Sequence, residues 1–127
     1  MSKVAVWPGN PSTVAPYSPA IISGNLIFVS GQVPMDPDTK QIVVGEFEEH
    51  VRQCIRNVET ILKAAGSDLT HAVKVVVFLK DMDNFSRLNA VYKEYWGEVL
   101  PARSCIEVAR LPLDVMVEIE AIAEIER

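Results

Sequence analysis

The 127-residue chain is poor in the residues that build metal centres and disulfide frameworks. Its two cysteines, Cys54 and Cys105, and its two histidines, His50 and His71, are scattered and do not have the spacing of a zinc site. Without a secretory signal, we expect both thiols to be reduced and both histidines to be structural or solvent-facing. The sequence also lacks a Walker loop, a dinucleotide-binding glycine fingerprint and an HExxH motif. It therefore predicts chemistry that uses no metal and no other cofactor.

Long apolar runs and clusters of positive charge are also missing. No apolar stretch is long enough to cross a bilayer, and residues 1–8 resemble neither a secretory signal nor an organelle-import segment. We therefore expect a cytoplasmic location, with mitochondrial import as the alternative, although no clear targeting segment is present. The net charge is −5, and the twelve Lys and Arg residues are dispersed apart from Arg52 and Arg56. Nucleic acid and membrane are thus not the expected partners.

The order of hydrophobic patterns predicts one α+β domain spanning residues 1–127. In chain order, the predicted elements are a possible short strand over 4–6, a β-hairpin around 23–25, an amphipathic helix over 46–65 ended by Gly66, a central strand over 70–79, a second helix capped by Asp83 and ended by Gly97, and strands over 103–109 and 115–125. We expect two helices on one face of a mixed β-sheet, in two layers.

The last predicted strand has two different faces. One face is purely apolar, whereas the other mixes Met116 and Ile122 with Glu118, Glu120 and Glu124. A sheet face that combines apolar residues and carboxylates is typical of a partly hydrated subunit interface. We therefore expect a homo-oligomer with pockets between its subunits.

Arg103 and Cys105 are the most informative pair of side chains. They lie two residues apart in a predicted strand entered through Pro101, so they point to the same face. The guanidinium fork matches a carboxylate in a bidentate manner. The simpler alternatives are a surface salt bridge for Arg103 and a small buried apolar residue for Cys105. No histidine is placed to activate the thiol as a nucleophile.

Five further positions stand out, and each has a simple structural interpretation. Glu120 is either a solvated surface carboxylate or a general base acting on water. Ser30 and Gly31 form either a plain turn or a hydroxyl and exposed N–H beside a pocket. Tyr17 is held by a stiff proline-rich loop and is interpreted as a packing aromatic with a hydrated hydroxyl, and Asn89 as a half-buried amide that caps a neighbouring loop.

These segments, taken together, resemble the RidA/YjgF family of reactive-intermediate (enamine/imine) deaminases, also called endoribonuclease L-PSP. The resemblance covers nearly the whole chain. It rests on APYSPAI (15–21), VSGQVP (29–34), LKAAG (62–66), VFLKDM (77–82), NAVY (89–92), PARSC (101–105) and VEIEAIA (117–123). The chain departs from the common Gly-Pro-Tyr-Ser-Gln at residues 15–19, and its loop before Pro101 is short. These departures affect the expected substrate range more than the expected chemistry.

The resemblance implies a chorismate-mutase-like fold and a homotrimer with three sites between subunits. It implies hydrolysis of 2-aminoacrylate and related 2-imino acids to 2-keto acids and ammonia. It places carboxylate binding on Arg103, water activation on Glu120, and the remaining substrate-binding positions on Cys105, Tyr17, Ser30, Gly31 and Asn89. We expect Glu120 to share a sheet face with Arg103. The alternatives are an endoribonuclease or translation inhibitor, which the acidic charge disfavours, and a non-catalytic trimer that binds small carboxylates.

Overall fold

Six strands and two α-helices make up the regular structure of the part of the chain that the computed structural model describes, residues 2–12 and 15–125. They are β1 (Val4–Val6), β2 (Ala20–Ser23), β3 (Leu26–Gln32), α1 (Phe47–Ala64), β4 (Ala72–Leu79), α2 (Phe85–Tyr92), β5 (Ala102–Glu107) and β6 (Val117–Glu124). The strand order is β1-β2-β3-β6-β4-β5. Only the β4–β5 pair is parallel. The predicted mixed sheet and its two helices are confirmed, including the short strand β1.

The helix α1 forms where the apolar spacing of three and four residues predicts it. Its buried side includes Val51, Ile55 and Val58, which are fully shielded from water. This side packs on β3 and β6, where Ile119 and its alternate neighbours are also buried. Gly66 follows the helix with a φ of +84°, which is the left-handed conformation that a glycine adopts without strain.

The second helix begins differently from the prediction. Asp83 does not cap it; instead Asp81 accepts a hydrogen bond from the backbone N–H of Asp83 and starts a single 3₁₀ turn, Met82–Asn84. The α-helix starts only after this turn and ends at Tyr92, five residues before Gly97. Because the Asp81 side chain bonds the backbone N–H of Asp83, it closes a local turn there, and the α-helix begins after that turn instead of at Asp83.

One face of the sheet is covered by the helices and the other is open within the single chain. The register places a row of apolar side chains on the open face: Ile21, Phe28, Val76, Phe78, Ile106 and Ile122. Phe28 and Ile106 are 40% and 46% exposed. A contiguous apolar surface of this kind marks an interaction site in a folded protein.

Among the described residues, neither helix has the length and apolarity needed to span a membrane.

Asn57 anchors the loop over residues 33–43 to α1. Its amide donates hydrogen bonds to the carbonyl oxygens of Val33 (3.1 Å) and Met35 (2.9 Å), and it accepts one from Gln53 at 2.9 Å. Asn57→Ala should lower the free energy of unfolding by about 1–3 kcal/mol, because two partly buried carbonyl groups lose their donors. Urea unfolding at fixed protein concentration measures this, with the exposed Arg56→Ala as control. Equal stability of the two variants would contradict the anchoring role.

Candidate functional site

The predicted site residues fall into two groups on opposite faces of the sheet. Arg103 pairs with Val75 and Cys105 with Val77, so both point toward the helices. Glu120 pairs with Val76, which lies between Val75 and Val77 on β4, so Glu120 points to the open face. Arg103 and Cys105 therefore share a face, as predicted. The expectation that Glu120 shares that face is wrong for a single chain, because successive strand residues alternate sides.

The guanidinium of Arg103 is held by aromatic rings and by no anion. Its Cζ atom lies 4.7 Å from the ring centroid of Tyr92 and 5.6 Å from that of Phe85, both on α2. Such a cation–π arrangement fixes the head group while leaving its N–H donors available. Within residues 2–12 and 15–125, Arg103 makes no hydrogen bond and no ion pair. A fixed, partly buried and unpaired guanidinium is a binding group for an anion.

Burial keeps the two titratable groups beside this guanidinium, the Cys105 thiol and the Tyr92 hydroxyl, in their neutral forms. Burial raises the pKa of the Cys105 thiol, and the charge of Arg103 offsets this only in part. Burial also raises the pKa of Tyr92 to about 12, with Arg103 again acting in the opposite direction. The thiol is therefore protonated near neutral pH and is a poor nucleophile. The Cys105 side chain is partly buried and packs against the hydrophobic core.

Asn89 belongs to the same group by its position on α2. Phe85, Asn89 and Tyr92 are spaced by four and three residues, so they lie on one face of the helix. The Asn89 side chain is partly buried and makes no hydrogen bond with any described residue. The loop-capping interpretation thus has no support, and the amide remains available to a ligand.

A β-bulge organises the second group. The β3–β6 pairing runs through Val29↔Ala121 and resumes at Gln32↔Ile119, so Ser30 and Gly31 both stand opposite Glu120. Bulges of this kind redirect side chains and often occur beside active sites. The Ser30 hydroxyl donates a hydrogen bond to the carbonyl oxygen of Ser18 at 2.6 Å. This bond ties the proline-rich loop that carries Tyr17 to the bulge.

A cavity of about 350 Å³ opens beside the bulge. Tyr17, Gly31 and Glu118 contribute to its wall, together with apolar side chains of the 33–43 loop and of residues 112–113. Its size is sufficient for a small organic ligand. Arg103 and Glu120 do not line it. The structure thus places Ser30 and Gly31 opposite Glu120 and places Tyr17 beside Gly31 in the wall of the cavity.

Three neighbouring residues were not predicted as site residues. Phe85 and Tyr92 share a face of α2 with Asn89, and this spacing of four and three residues is visible in the sequence. Glu118 was not distinguished from the other carboxylates of β6, because alternation alone does not show which of them a neighbouring strand covers. No group of three or more metal-ligating side chains occurs in the described part of the chain.

Known proteins match both the sequence and the fold. The family model described as Endoribonuclease L-PSP matches residues 8–125. A RutC family protein of Pyrococcus horikoshii is 49% identical over 123 residues, covering 97% of this chain and 98% of that protein. A bovine 2-iminobutanoate/2-iminopropanoate deaminase is 46% identical over 113 residues, covering 89% of this chain and 82% of that protein. The crystal structure of a putative endoribonuclease from Thermotoga maritima superposes with a TM-score of 0.90 at 45% identity, covering all of both chains.

The strand order and the placement of the helices define a small α+β protein with a six-stranded mixed sheet. These similarities identify it further: the chain belongs to the RidA/YjgF family, the endoribonuclease L-PSP family. The predicted RidA/YjgF fold, with its mixed sheet and helices on one face, is confirmed.

The state of Cys105 can be measured through its alkylation. We expect the midpoint of its iodoacetamide rate against pH to lie above that of glutathione, because burial raises the pKa of the thiol. Arg103→Ala should move the midpoint higher, since the guanidinium favours the thiolate, whereas Arg103→Lys should move it less. Peptide-resolved mass spectrometry separates Cys105 from the buried Cys54. A midpoint below that of glutathione would restore Cys105 as a candidate nucleophile.

Proposed function

We propose that the protein is a cytoplasmic enamine/imine deaminase that hydrolyses 2-aminoacrylate and related 2-imino acids to 2-keto acids and ammonia. We further propose that it works as a homotrimer with three sites between subunits. The observation that carries the proposal is Arg103, a guanidinium that lies against two aromatic rings and has no anionic partner among residues 2–12 and 15–125. A small carboxylate supplies the missing partner. The bovine relative, at 46% identity, is named for the deamination of 2-imino acids, and this name supports an imino acid as the molecule that carries the carboxylate.

The two faces explain why the proposed site needs two copies of the chain. β5 is an edge strand, so the Arg103 group lies at the border of the sheet, where another subunit can approach. The open face that carries Glu120 also carries exposed Phe28 and Ile106, which favours its burial by another copy. Arg103, Cys105 and Asn89 of one subunit then meet Tyr17, Ser30, Gly31 and Glu120 of the next.

In the proposed reaction, Arg103 holds the substrate carboxylate and Glu120 acts on water. Glu120 takes one proton from the water while the water oxygen bonds to the imine carbon. The C=N π pair moves to nitrogen, and Glu120 gives its proton to that nitrogen. In the second step Glu120 takes the proton of the new hydroxyl group as the carbonyl forms, the C–N bond pair leaves with nitrogen, and Glu120 passes this second proton to the nitrogen to give ammonia. General acid–base help of this kind contributes about 10²–10⁴-fold.

No covalent enzyme intermediate is required by this mechanism. The imine carbon is already electrophilic, and the thiol of Cys105 is held neutral by burial. Cys105 serves as a pocket wall beside the carboxylate. The family description keeps endoribonuclease activity as an alternative. The net charge of −5 and the dispersed cations disfavour RNA as the substrate.

The direct test generates 2-aminoacrylate in situ with a PLP-dependent dehydratase and follows pyruvate and ammonia. Wild-type protein should accelerate product formation. Arg103→Ala should lower kcat/KM by about 30-fold or more, because removal of one partner from a shielded ion pair costs at least ~2 kcal/mol. Cys105→Ala, the matched control on the same strand face, should keep most of the activity.

Each alternative has its own signature in these variants. A fully active Arg103→Ala protein would contradict the proposed carboxylate role. Ligand affinity that persists in Glu120→Gln, with no ammonia released from any imino acid by the wild type, would indicate a non-catalytic binding trimer. Cleavage of RNA that disappears in the Arg103→Ala, Glu120→Ala double variant would favour the ribonuclease alternative.

A further inference from the structure

Ion pairs at two places join α2 to α1, and the proposed hydrolysis uses none of them. Arg87 of α2 donates two hydrogen bonds to the Glu48 carboxylate, from Nε at 2.9 Å and from Nη2 at 2.7 Å. In the turn after α2, Glu94 accepts a hydrogen bond from Nη2 of Arg52 at 3.3 Å. Isolated surface ion pairs contribute little to stability, but bidentate arginine–carboxylate pairs and networks are the exceptions.

The guanidinium of Arg87 is held from more than one side. Its Cζ atom lies 5.4 Å from the ring centroid of Phe47, which is buried in the core. Its Nη2 atom also lies 3.6 Å from a carboxylate oxygen of Glu46. The hydrogen bonds from Arg87 lower the pKa of Glu48 to about 2, so this carboxylate is ionised throughout the neutral pH range. The contact between the helices is therefore both charged and directional.

The two pairs have opposite polarity, which fixes the position of α2 along α1. On α1, the negative Glu48 is followed about one helical turn later by the positive Arg52. On the other side of the contact the order is reversed, with Arg87 first and Glu94 second. Sliding α2 in one direction brings Arg87 toward Arg52, and sliding it in the other brings Glu94 toward Glu48. Both displacements set like charges against each other, whereas apolar contacts are not directional.

The face of α2 opposite these ion pairs holds the guanidinium of Arg103. The ring centroids of Phe85 and Tyr92 lie there, 5.6 Å and 4.7 Å from Arg103 Cζ. With about 3.6 residues per helical turn, both rings are about half a turn away from Arg87. The helix has 8 residues, too few to be stable alone, so tertiary contacts set its position. A displacement of α2 against α1 therefore moves both rings relative to Arg103.

We propose that Arg87 and Glu48 are positioning residues for the carboxylate site and act on Arg103 through α2. Their bidentate pair, together with the second ion pair between the helices, holds α2 at the register at which its two rings contact the Arg103 guanidinium. This role rests on the proposed function, in which Arg103, and not Arg87, binds the substrate carboxylate.

The test compares Arg87→Gln with Lys63→Gln, a matched removal of one positive charge. Lys63 pairs with Glu59 at 3.8 Å within α1, so its loss breaks an ion pair that does not involve α2. The first readout is the Kd for pyruvate, the product of the proposed reaction, by isothermal titration calorimetry. The second is the separate measurement of KM and kcat for 2-aminoacrylate hydrolysis.

Trp96 reports the position of α2 without any need for activity. Its ring centroid lies 5.1 Å from that of Tyr92, and the indole is buried. The chain has two tryptophans, so Trp7→Phe serves as the reference protein and background of all variants, in which Trp96 is the only one. The near-UV circular dichroism band of Trp96 then changes when the Tyr92 ring moves.

Arg87→Gln should weaken pyruvate binding and raise KM by about 3- to 10-fold, because the rings no longer hold Arg103 in place. The kcat should stay near the reference, since Glu120 lies on the other face of the sheet. The Trp96 band should change, and Arg87→Lys, which keeps the charge but not the fork, should be intermediate. Lys63→Gln should match the reference in every readout.

The double variant Glu48→Gln, Arg87→Gln tests whether the two residues act as one unit. It should bind pyruvate as weakly as Arg87→Gln alone, because Glu48 acts only through Arg87. Losses that multiply in the double variant would show two independent effects and would contradict the paired role.

Three further results would overturn the inference while the reference protein is active. One is an unchanged KM and pyruvate affinity in Arg87→Gln. Another is a lower kcat at an unchanged KM, which indicates a smaller folded fraction and so a purely structural role. The third is weaker binding with an unchanged Trp96 band, which would show that α2 has not moved.

A reference protein that neither binds pyruvate nor hydrolyses an imino acid would instead overturn the proposed function. A changed Trp96 band in Arg87→Gln would then limit the role of Arg87 to holding α2, and the positioning of a carboxylate site would be contradicted.

Discussion

The pairing of β4 with its two neighbours determines where every candidate residue points. The parallel partner β5 places Arg103 beside Val75, and the antiparallel partner β6 places Glu120 beside Val76. Because side chains alternate, this difference of one residue separates the guanidinium from the carboxylate by the thickness of the sheet. A slip of one residue on either side would bring them together, but it would turn the buried apolar face of that strand toward water. The separation of Arg103 from Glu120 thus follows from the same register that builds the core.

The two halves of the site are stabilised by different means. On the helix side, aromatic rings fix Arg103, so the cation is held in place without an anion that a substrate would have to displace. On the open side, a bulge and the Ser30–Ser18 hydrogen bond fix the backbone around Glu120. Each half is incomplete in one chain. In the proposed function, a carboxylate ligand and a second copy of the chain together supply what both halves lack.

Local patterns predicted the elements well and their spatial relations poorly. The helix α1 was visible because its apolar stripe and Gly66 are local signals. The resemblance to the family is the source of Tyr17, Asn89 and the other candidate site positions, which residue patterns alone left open. The face of Arg103 relative to Glu120 was not predictable, because it depends on a parallel pairing between segments about 25 residues apart. Glu118 was overlooked because only the fold shows that Gly31 packs against it.

The central claim is that each site combines Arg103 of one subunit with Glu120 of another. Mixed oligomers of Arg103→Ala and Glu120→Ala subunits, carrying different tags and purified through both, test it most directly. In a cyclic trimer, every such mixed oligomer contains one site with both wild-type side chains, so we expect about one third of the wild-type activity. The two variants purified separately should be inactive. Mixed oligomers with no more activity than the separate variants would contradict the account.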